Sequence, residues 1–210
     1  MAEPEAVILV HGLWVHGAVM SLMRRRIARC GYRARCYSYP TMQFTLSENA
    51  ERLAQYCRGI AAPRLHFVGH SMGGLVVLRM LETPRPFTTG RVVLAGTPYD
   101  GSYAARRLMR FSGGRKLLGC CLPEWLGRER HEPPAQRDIG VIAGRVGIGL
   151  GRLVAPEMTW PNDGVVAVSE TKFPEMRDHI VLDVNHTGML LSRRVVEQAC
   201  AFLRNGAFVH

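Results

Sequence analysis

Short apolar runs alternate along the chain with segments in which apolar residues recur every three or four positions. An uninterrupted apolar run predicts a strand that is buried on both faces, and the helical spacing predicts amphipathic helices. Six strands are predicted, at residues 6–10, 34–39, 65–69, 91–95, 139–143 and 179–184. Strands that alternate with helices in this way are typical of a parallel sheet covered by helices. We therefore expect an α/β fold with about six mostly parallel strands.

The connections between these strands predict one domain, 1–210, with a single irregular insertion. Helices are predicted at about 19–30, 45–60, 72–81 and 192–204. The second of them begins with Thr45 and Glu48, which have the spacing of a capping box. Residues 100–136 break the rhythm, because they are too many for an ordinary connection and are rich in Gly, Arg and Pro. We interpret 100–136 as a cap or lid inserted in the domain.

The charge of the chain is strongly positive, because 27 Lys and Arg residues face 17 Asp and Glu residues, for a formal net charge of +10. Nearly all of this excess is arginine. The run 24–26 consists of three consecutive arginines, which on a helix point in different directions and form no single stripe. No aromatic residues are interleaved with the run to stack on bases. We therefore expect no nucleic-acid partner. A local excess of basic residues within 106–130 lies largely in the irregular insertion.

The sequence also bears on compartment and redox state. It has no apolar run of the roughly 18 residues that a membrane span needs. Glu3 and Glu5 stand where a secretory signal carries Lys or Arg, so the expected location is the cytoplasm. The six cysteines show neither a C-x-x-C pair nor the spacing of a zinc site. In a reducing compartment we expect them to be free thiols.

The strongest chemical signal is Gly69-His70-Ser71-Met72-Gly73, which stands between a predicted strand and a predicted helix. A serine in a tight strand-to-helix turn projects its hydroxyl above the edge of the sheet, and its flanking residues must be small because the two backbones crowd there. A phosphate-binding glycine loop is the alternative, but the chain lacks the G-x-G-x-x-G or G-K-[ST] pattern after a strand. We predict that Ser71 is a nucleophile.

A serine nucleophile needs a base, and His186 is the best placed of the eight histidines. It follows the last predicted strand, and a parallel sheet has its working loops at the carboxyl ends of the strands. His186 is therefore the predicted general base, with a structural histidine as the alternative. His70 lies in the serine turn itself, and we expect its ring to face away from the reaction centre.

Asp163 and Asp100 are the two candidates for the acid that orients the base. Asp163 follows the fifth predicted strand and precedes His186, which matches the chain order serine, acid, histidine. Asp100 follows the fourth predicted strand, where folds of this type sometimes carry the acid. We favour Asp163, although an Asp-Gly pair also forms turns that have no catalytic role.

The predicted chemistry also requires two backbone N–H groups that point at the negative oxygen developing during acyl transfer. Met72, directly after the serine, is expected to supply one of them. Leu13 is expected to supply the other, from the loop after the first strand. Gly12 would let that loop approach closely, and His11 would hold it in place. No metal-ligand spacing accompanies His11, so neither a metal nor an organic cofactor is expected.

Five motifs together resemble a compact α/β-hydrolase of the lipase and esterase type. They are HGLW at 11–14, GHSMGG at 69–74, GTPYDGS at 96–102, NDGVV at 162–166 and NHTGM at 185–189. The resemblance covers nearly the whole chain. It implies a minimal α/β-hydrolase fold, in which the strand at 6–10 corresponds to the third strand of the family.

The resemblance further implies hydrolysis of an ester or lipid substrate through an acyl-serine intermediate. Trp14, Tyr99 and Leu108 are the predicted substrate-binding residues, with ordinary packing as the alternative for Trp14. The segment 102–126 is interpreted either as a mobile lid that meets an acyl chain or an anionic lipid surface, or as a fixed helical cap. An acyltransferase, thioesterase or amidase would use the same residues, and a non-catalytic binding module is a further alternative. No feature of the sequence predicts an oligomeric state.

Overall fold

A single parallel sheet forms the centre of the computed structural model, which describes residues 3–128 and 138–210. Its strands are β1 (Ala6–Val10), β2 (Arg33–Tyr37), β3 (Leu65–His70), β4 (Thr89–Ala95), β5 (Ile139–Gly144) and β6 (Asp178–Leu182). The strand order is β2-β1-β3-β4-β5-β6, and each pair of neighbours is parallel. All strands therefore end at one edge of the sheet, which we call the carboxyl edge. The expected six-stranded α/β fold is confirmed.

Helices cover both faces of this sheet. They are α1 (Ser21–Ala28), α2 (Leu46–Arg58), α3 (Met72–Leu81), α4 (Tyr103–Leu108), α5 (Gly114–Leu117), α6 (Cys121–Leu126), α7 (Gly151–Val154) and α8 (Arg193–Asn205). The predicted capping box is present at α2, where the Thr45 side chain accepts from the Glu48 amide and the Glu48 carboxylate accepts from the Thr45 amide. Within the described residues, no helix is long and apolar enough to cross a membrane.

The alternation of side chains along each strand divides the core into two layers. In β1, Ala6, Ile8 and Val10 face the layer that contains α2 and α3, and Val7 and Leu9 face the layer beneath α1 and α8. All five are fully buried, which is why the run is apolar throughout rather than alternating. Burying each large apolar side chain contributes roughly 1.5–3 kcal/mol to folding.

Two of the cysteines are not the free thiols that the sequence predicts. Cys30, just after α1, and Cys200, within α8, form a disulfide across the helical layer on one face of the sheet. Because α1 and α8 pack side by side, the two Cα atoms lie 6.4 Å apart, which is within disulfide range. The expectation of free thiols is therefore wrong for these two residues. It holds for the remaining four, Cys36, Cys57, Cys120 and Cys121.

The described part of the predicted insertion, residues 100–128, contains α4, α5 and α6, and α6 packs on α2 and α3; we call this segment the cap. The indole of Trp125 is buried and donates to the Tyr99 carbonyl over 3.0 Å. The Glu124 carboxylate accepts from the Ser47 amide, and the Arg128 guanidinium pairs with Glu82 through two hydrogen bonds. The remainder of the predicted insertion, 129–136, lies outside the described residues.

Candidate active site

Ser71 occupies a strained turn between β3 and α3. Its backbone has φ 53° and ψ −128°, a conformation that a residue with a side chain adopts at a cost of about 1–3 kcal/mol. The neighbouring positions must be glycine, because the surrounding backbone leaves no room for a side chain. A Cβ atom on Gly69 would lie 2.4 Å from the Cα of Gly74, and one on Gly73 would lie 2.2 Å from the carbonyl oxygen of Val10. The crowding that the G-x-S-x-G pattern predicts is present.

Thr97, in the loop after β4, supports this turn and was missed by the sequence reasoning. Its side chain is fully buried, and its hydroxyl donates to the Ser71 carbonyl over 3.1 Å. A Cβ atom on Gly74 would fall 2.0 Å from that hydroxyl, so the start of α3 packs directly on Thr97. The only sequence signal for it is its position two residues after β4, within the GTPYDGS motif.

Asp163 and His186 form a buried pair at the same edge. The Nδ1 of His186 lies 2.7 Å from the Oδ2 of Asp163, and the His186 amide donates to the Asp163 carbonyl over 2.9 Å. Since a carboxylate only accepts, Nδ1 carries the hydrogen and the Nε2 of the neutral ring keeps its lone pair. The other oxygen, Oδ1, accepts from the amides of Val165 and Val166 over 2.9 and 2.7 Å. Both carboxylate oxygens of Asp163 therefore accept hydrogen bonds.

Gly96 places this pair against the end of β4. The glycine has φ 59°, and a Cβ atom on it would lie 3.1 Å from both Asp163 Oδ2 and His186 Nδ1. The preceding residue, Ala95, accepts a hydrogen bond of 2.9 Å from the Ser71 amide. The serine turn and the acid–imidazole pair are therefore attached to adjacent residues at the carboxyl edge.

His70 contradicts the expectation that its ring faces away from this centre. Its ring packs against that of His186, with 4.8 Å between centroids, and its Nε2 lies 3.0 Å from the His186 carbonyl oxygen. Burial, followed by the neighbouring His186, lowers the pKa of His70 to about 3. The expectation was wrong because it considered the serine turn alone, whereas the loop after β6 folds over it.

The loop after β1 approaches the serine from the other side. A Cβ atom on Gly12 would lie 3.0 Å from the Cβ of Ser71, so the segment carrying Leu13 borders the nucleophile turn. Met72 is the first residue of α3, where backbone N–H groups have no partner within the helix. Both predicted oxyanion-hole residues therefore lie in segments that flank Ser71.

His11 is a fully buried support for that loop. Its Nδ1 donates to the Gly12 carbonyl over 2.9 Å, and its Nε2 accepts from the Tyr39 amide over 3.3 Å. The Tyr39 hydroxyl in turn donates to the His11 carbonyl over 2.9 Å. Desolvation lowers the pKa of His11, which keeps the ring neutral. Within residues 3–128 and 138–210, no group of His, Cys, Asp or Glu side chains could hold a metal ion.

The three predicted substrate-binding residues have different environments. Trp14 is 52% exposed, and its indole donates to the Leu117 carbonyl over 2.7 Å, which ties the loop after β1 to the cap. Leu108 is half-buried at the end of α4. Tyr99 is buried, and its ring stacks on Phe173 with 4.2 Å between centroids. Of the three, Tyr99 belongs to the core beneath the cap.

The rival acid, Asp100, is exposed at the start of the cap. Its backbone amide donates to the Glu170 carbonyl over 2.9 Å. The carboxylate that contacts the His186 ring is that of Asp163. The geometry therefore brings together the favoured acid and base.

Comparison with known proteins gives matches at the level of family and fold. Residues 7–208 match the model of the alpha/beta hydrolase family. The mature lipase BlEst2 of Bacillus licheniformis has a similar structure, with 19% identity, a TM-score of 0.70, and coverage of 90% of this chain and 87% of that one. A metagenomic carboxyl esterase, MGS0156, gives 19% identity and a TM-score of 0.69, covering 89% of this chain and 65% of that one.

A third similar structure is the carboxylesterase CesB of Bacillus subtilis. It is 14% identical, with a TM-score of 0.57 and coverage of 97% of this chain and 84% of the other. At such identities the likeness is one of fold. No curated protein sequence matches the chain.

Proposed function

The chain belongs to the alpha/beta hydrolase family, and from this we propose that it is a serine carboxylic-ester hydrolase, an esterase or lipase that acts through an acyl-serine intermediate. The observation that carries the proposal is the buried Asp163–His186 pair beside the strained turn of Ser71. An imidazole with Nδ1 bonded to a carboxylate and Nε2 left as a lone pair is suited to remove a hydroxyl proton. The lipase and esterase folds of the structural neighbours agree with this chemistry.

In the acylation step, the Oγ of Ser71 attacks the ester carbonyl carbon while the Nε2 of His186 takes the hydroxyl proton. The carbonyl oxygen becomes an oxyanion, which the backbone N–H groups of Leu13 and Met72 stabilise. Collapse of the tetrahedral intermediate breaks the bond to the alcohol oxygen, and His186 delivers its proton to that oxygen. The alcohol leaves, and the acyl group remains on Ser71.

In deacylation, His186 accepts a proton from water as the water oxygen attacks the acyl carbon. The second tetrahedral intermediate collapses, the carboxylic acid leaves, and the proton returns to the Oγ of Ser71. Asp163 stabilises the imidazolium that forms in both steps and fixes the orientation of its ring. The buried position of the pair strengthens this interaction, because a low dielectric screens charge less than water does.

The surroundings of the site favour a water-insoluble ester at an anionic lipid surface. The loops at the carboxyl edge expose large apolar side chains: Trp14, Phe111, Leu117, Ile148, Leu150, Leu153, Trp160 and Leu191. Exposed basic residues accompany them in the cap and in α7: Arg106, Arg110, Arg115, Lys116 and Arg152. Apolar side chains among cations fit the boundary between acyl chains and anionic headgroups. We propose that this amphiphilic rim contacts such a surface transiently.

The nucleophile is tested with a fluorophosphonate probe and with p-nitrophenyl esters from acetate to palmitate. The wild-type enzyme is expected to be labelled once and to hydrolyse at least one ester. Ser71→Ala should abolish labelling and lower kcat by ~10⁴–10⁶-fold, because no hydroxyl remains to be acylated. The matched control, Ser112→Ala, removes an exposed cap serine and should leave both unchanged. A Ser71→Ala variant that still turns over esters would refute the assignment.

A further inference from the structure

The peptide group and ring of His186 are held by hydrogen bonds from two residues. Asp163 supplies two of them, through its carbonyl to the His186 amide and through Oδ2 to the ring. The third comes from His70, whose Nε2 lies 3.0 Å from the His186 carbonyl oxygen. This third bond comes from the residue directly before the nucleophile. It therefore connects the base to the serine turn by a path that does not pass through Asp163.

The surroundings of His70 fix both its tautomer and its charge. A carbonyl oxygen only accepts, so Nε2 of His70 carries the hydrogen and Nδ1 has the lone pair. That Nδ1 atom is buried and has no hydrogen-bond partner within the described residues; a Cβ atom on Gly12 would lie 3.3 Å from it. The groups around the ring are His186, Asp163 and His11, and burial is the main reason its pKa is lowered to about 3. His70 is neutral at neutral pH.

Neutrality matters because the proposed reaction creates a positive charge on His186. With 4.8 Å between ring centroids, a charged His70 would repel the imidazolium in a site of low dielectric. A neutral ring that donates from Nε2 positions the base without opposing its protonation. An apolar side chain at position 70 would leave the charge balance intact but remove both the hydrogen bond and the ring contact.

We propose that His70 is a positioning residue for the general base, and that its Nε2–H bond to the His186 carbonyl holds the imidazole in line with Ser71. This proposal rests on the proposed serine-hydrolase function. It adds a residue that the reaction itself does not require, since His70 exchanges no proton with substrate. Its contribution is to fix the orientation of the imidazole in the resting enzyme.

Three substitutions separate the hydrogen bond from the volume of the ring. Gln places an amide nitrogen at the same distance along the side chain as Nε2, whereas Asn places it at the position of Nδ1, on the side of Gly12. Leu has no donor. We expect His70→Gln to keep kcat within about threefold of wild type, and His70→Asn and His70→Leu to lower it by ~10-fold with little change in KM, as the loss of one buried hydrogen bond predicts.

A spectroscopic readout distinguishes failure of this proposal from failure of the proposed function. The Nδ1 proton of His186, shared with Asp163, should give a low-field proton NMR signal in wild type and His70→Gln, and a broadened one in His70→Asn and His70→Leu. Thermal unfolding identifies variants that are folded. Wild-type kcat in folded His70→Leu, or equal losses in folded His70→Gln and His70→Leu, would overturn the positioning role. If wild type hydrolyses no ester, the proposed function fails, and the NMR comparison alone decides whether His70 positions His186.

Discussion

The carboxylate of Asp163 both forms a turn and contacts the candidate base, so the two interpretations of this residue are compatible. As a turn former it uses Oδ1, which accepts from the amides of Val165 and Val166. As a candidate acid it uses Oδ2, which accepts from the ring of His186. The turn orients the carboxylate before any proton moves, so less conformational freedom is lost when the imidazolium forms. The Asp-Gly turn is therefore part of how the acid is held.

Replacement of this acid by its amide gives a sharp test of the residue-level assignment. In Asp163→Asn the amide NH₂ can donate where the carboxylate accepted, which favours the wrong tautomer of His186. We expect kcat for p-nitrophenyl esters to fall by ~10⁴-fold with little change in KM. Asp100→Asn is the matched control and should retain activity within about twofold. The reverse pattern, with Asp100→Asn inactive and Asp163→Asn active, would transfer the role to Asp100.

At the level of elements, the disulfide between Cys30 and Cys200 fastens the first covering helix to the last. The two residues are 170 positions apart, so the bond closes most of the chain into one loop. Closing a long loop reduces the freedom of the unfolded chain more than that of the folded one. The disulfide is therefore expected to stabilise the fold without taking part in the chemistry at the carboxyl edge.

Reduction of the protein should lower its free energy of unfolding by about 2–5 kcal/mol. The measurement is urea unfolding with and without a reductant, followed by circular dichroism. The double variant Cys30→Ser with Cys200→Ser should have the lower stability under both conditions. Cys36→Ser, which changes a half-buried free thiol, should respond to reductant as wild type does. Equal stability of oxidised and reduced wild type would contradict a stabilising role.

The ends of the elements show where the sequence pattern was sufficient and where it was not. The five-residue run of β1 is buried on both faces, and the prediction of 6–10 matched it residue for residue. β4 begins at Thr89, two residues before its predicted start, because Thr89 pairs with Leu65 of β3. Hydropathy locates the buried centre of a strand. The ladder of hydrogen bonds with its neighbours determines its ends.

The candidate site likewise contains features that the sequence could predict and contacts that it could not. The tight turn at Ser71 was predictable because it imposes glycines on adjacent positions. The position of His186 at the carboxyl edge was predictable because the loops after the strands of a parallel sheet meet there. The contact of His70 with His186 was not, since it joins residues 116 positions apart and leaves no local pattern. The pairing of Cys30 with Cys200 escaped prediction for the same reason.

Across the whole molecule, some basic side chains form ion pairs and others do not. Many arginines away from the cap are matched by acids, such as Arg85 by Glu51 and Arg91 by Asp138. In the described part of the cap, Arg106, Arg110, Arg115 and Lys116 form no ion pair. These four unpaired charges stand beside the exposed apolar side chains of the amphiphilic rim. Such a surface is expected to bind anionic lipid more strongly than the net charge alone would predict.

This surface predicts a charge-reversal experiment with phosphatidylcholine vesicles that contain phosphatidylglycerol. A basic residue near an anionic membrane contributes about 1 kcal/mol, so Arg115→Glu with Lys116→Glu should weaken binding by roughly 10–100-fold. Arg29→Glu with Arg204→Glu is the matched control. It changes the total charge by the same amount, at Arg29 directly after α1 and at Arg204 in the last turn of α8. Both positions are exposed and lie away from the cap, so binding should change little.

The tryptophans report whether the rim itself enters the lipid. Trp14 and Trp160 are 52% and 66% exposed at the carboxyl edge, whereas Trp125, in α6 of the cap, is buried. Brominated lipid should therefore quench part of the wild-type fluorescence, and the double variant Trp14→Phe with Trp160→Phe should lose that quenching while keeping the signal of Trp125. Salt should weaken the attachment, because screening acts on exposed charges. If both charge-reversed variants lose binding equally, attraction is spread over the whole molecule and the rim is not the contact surface.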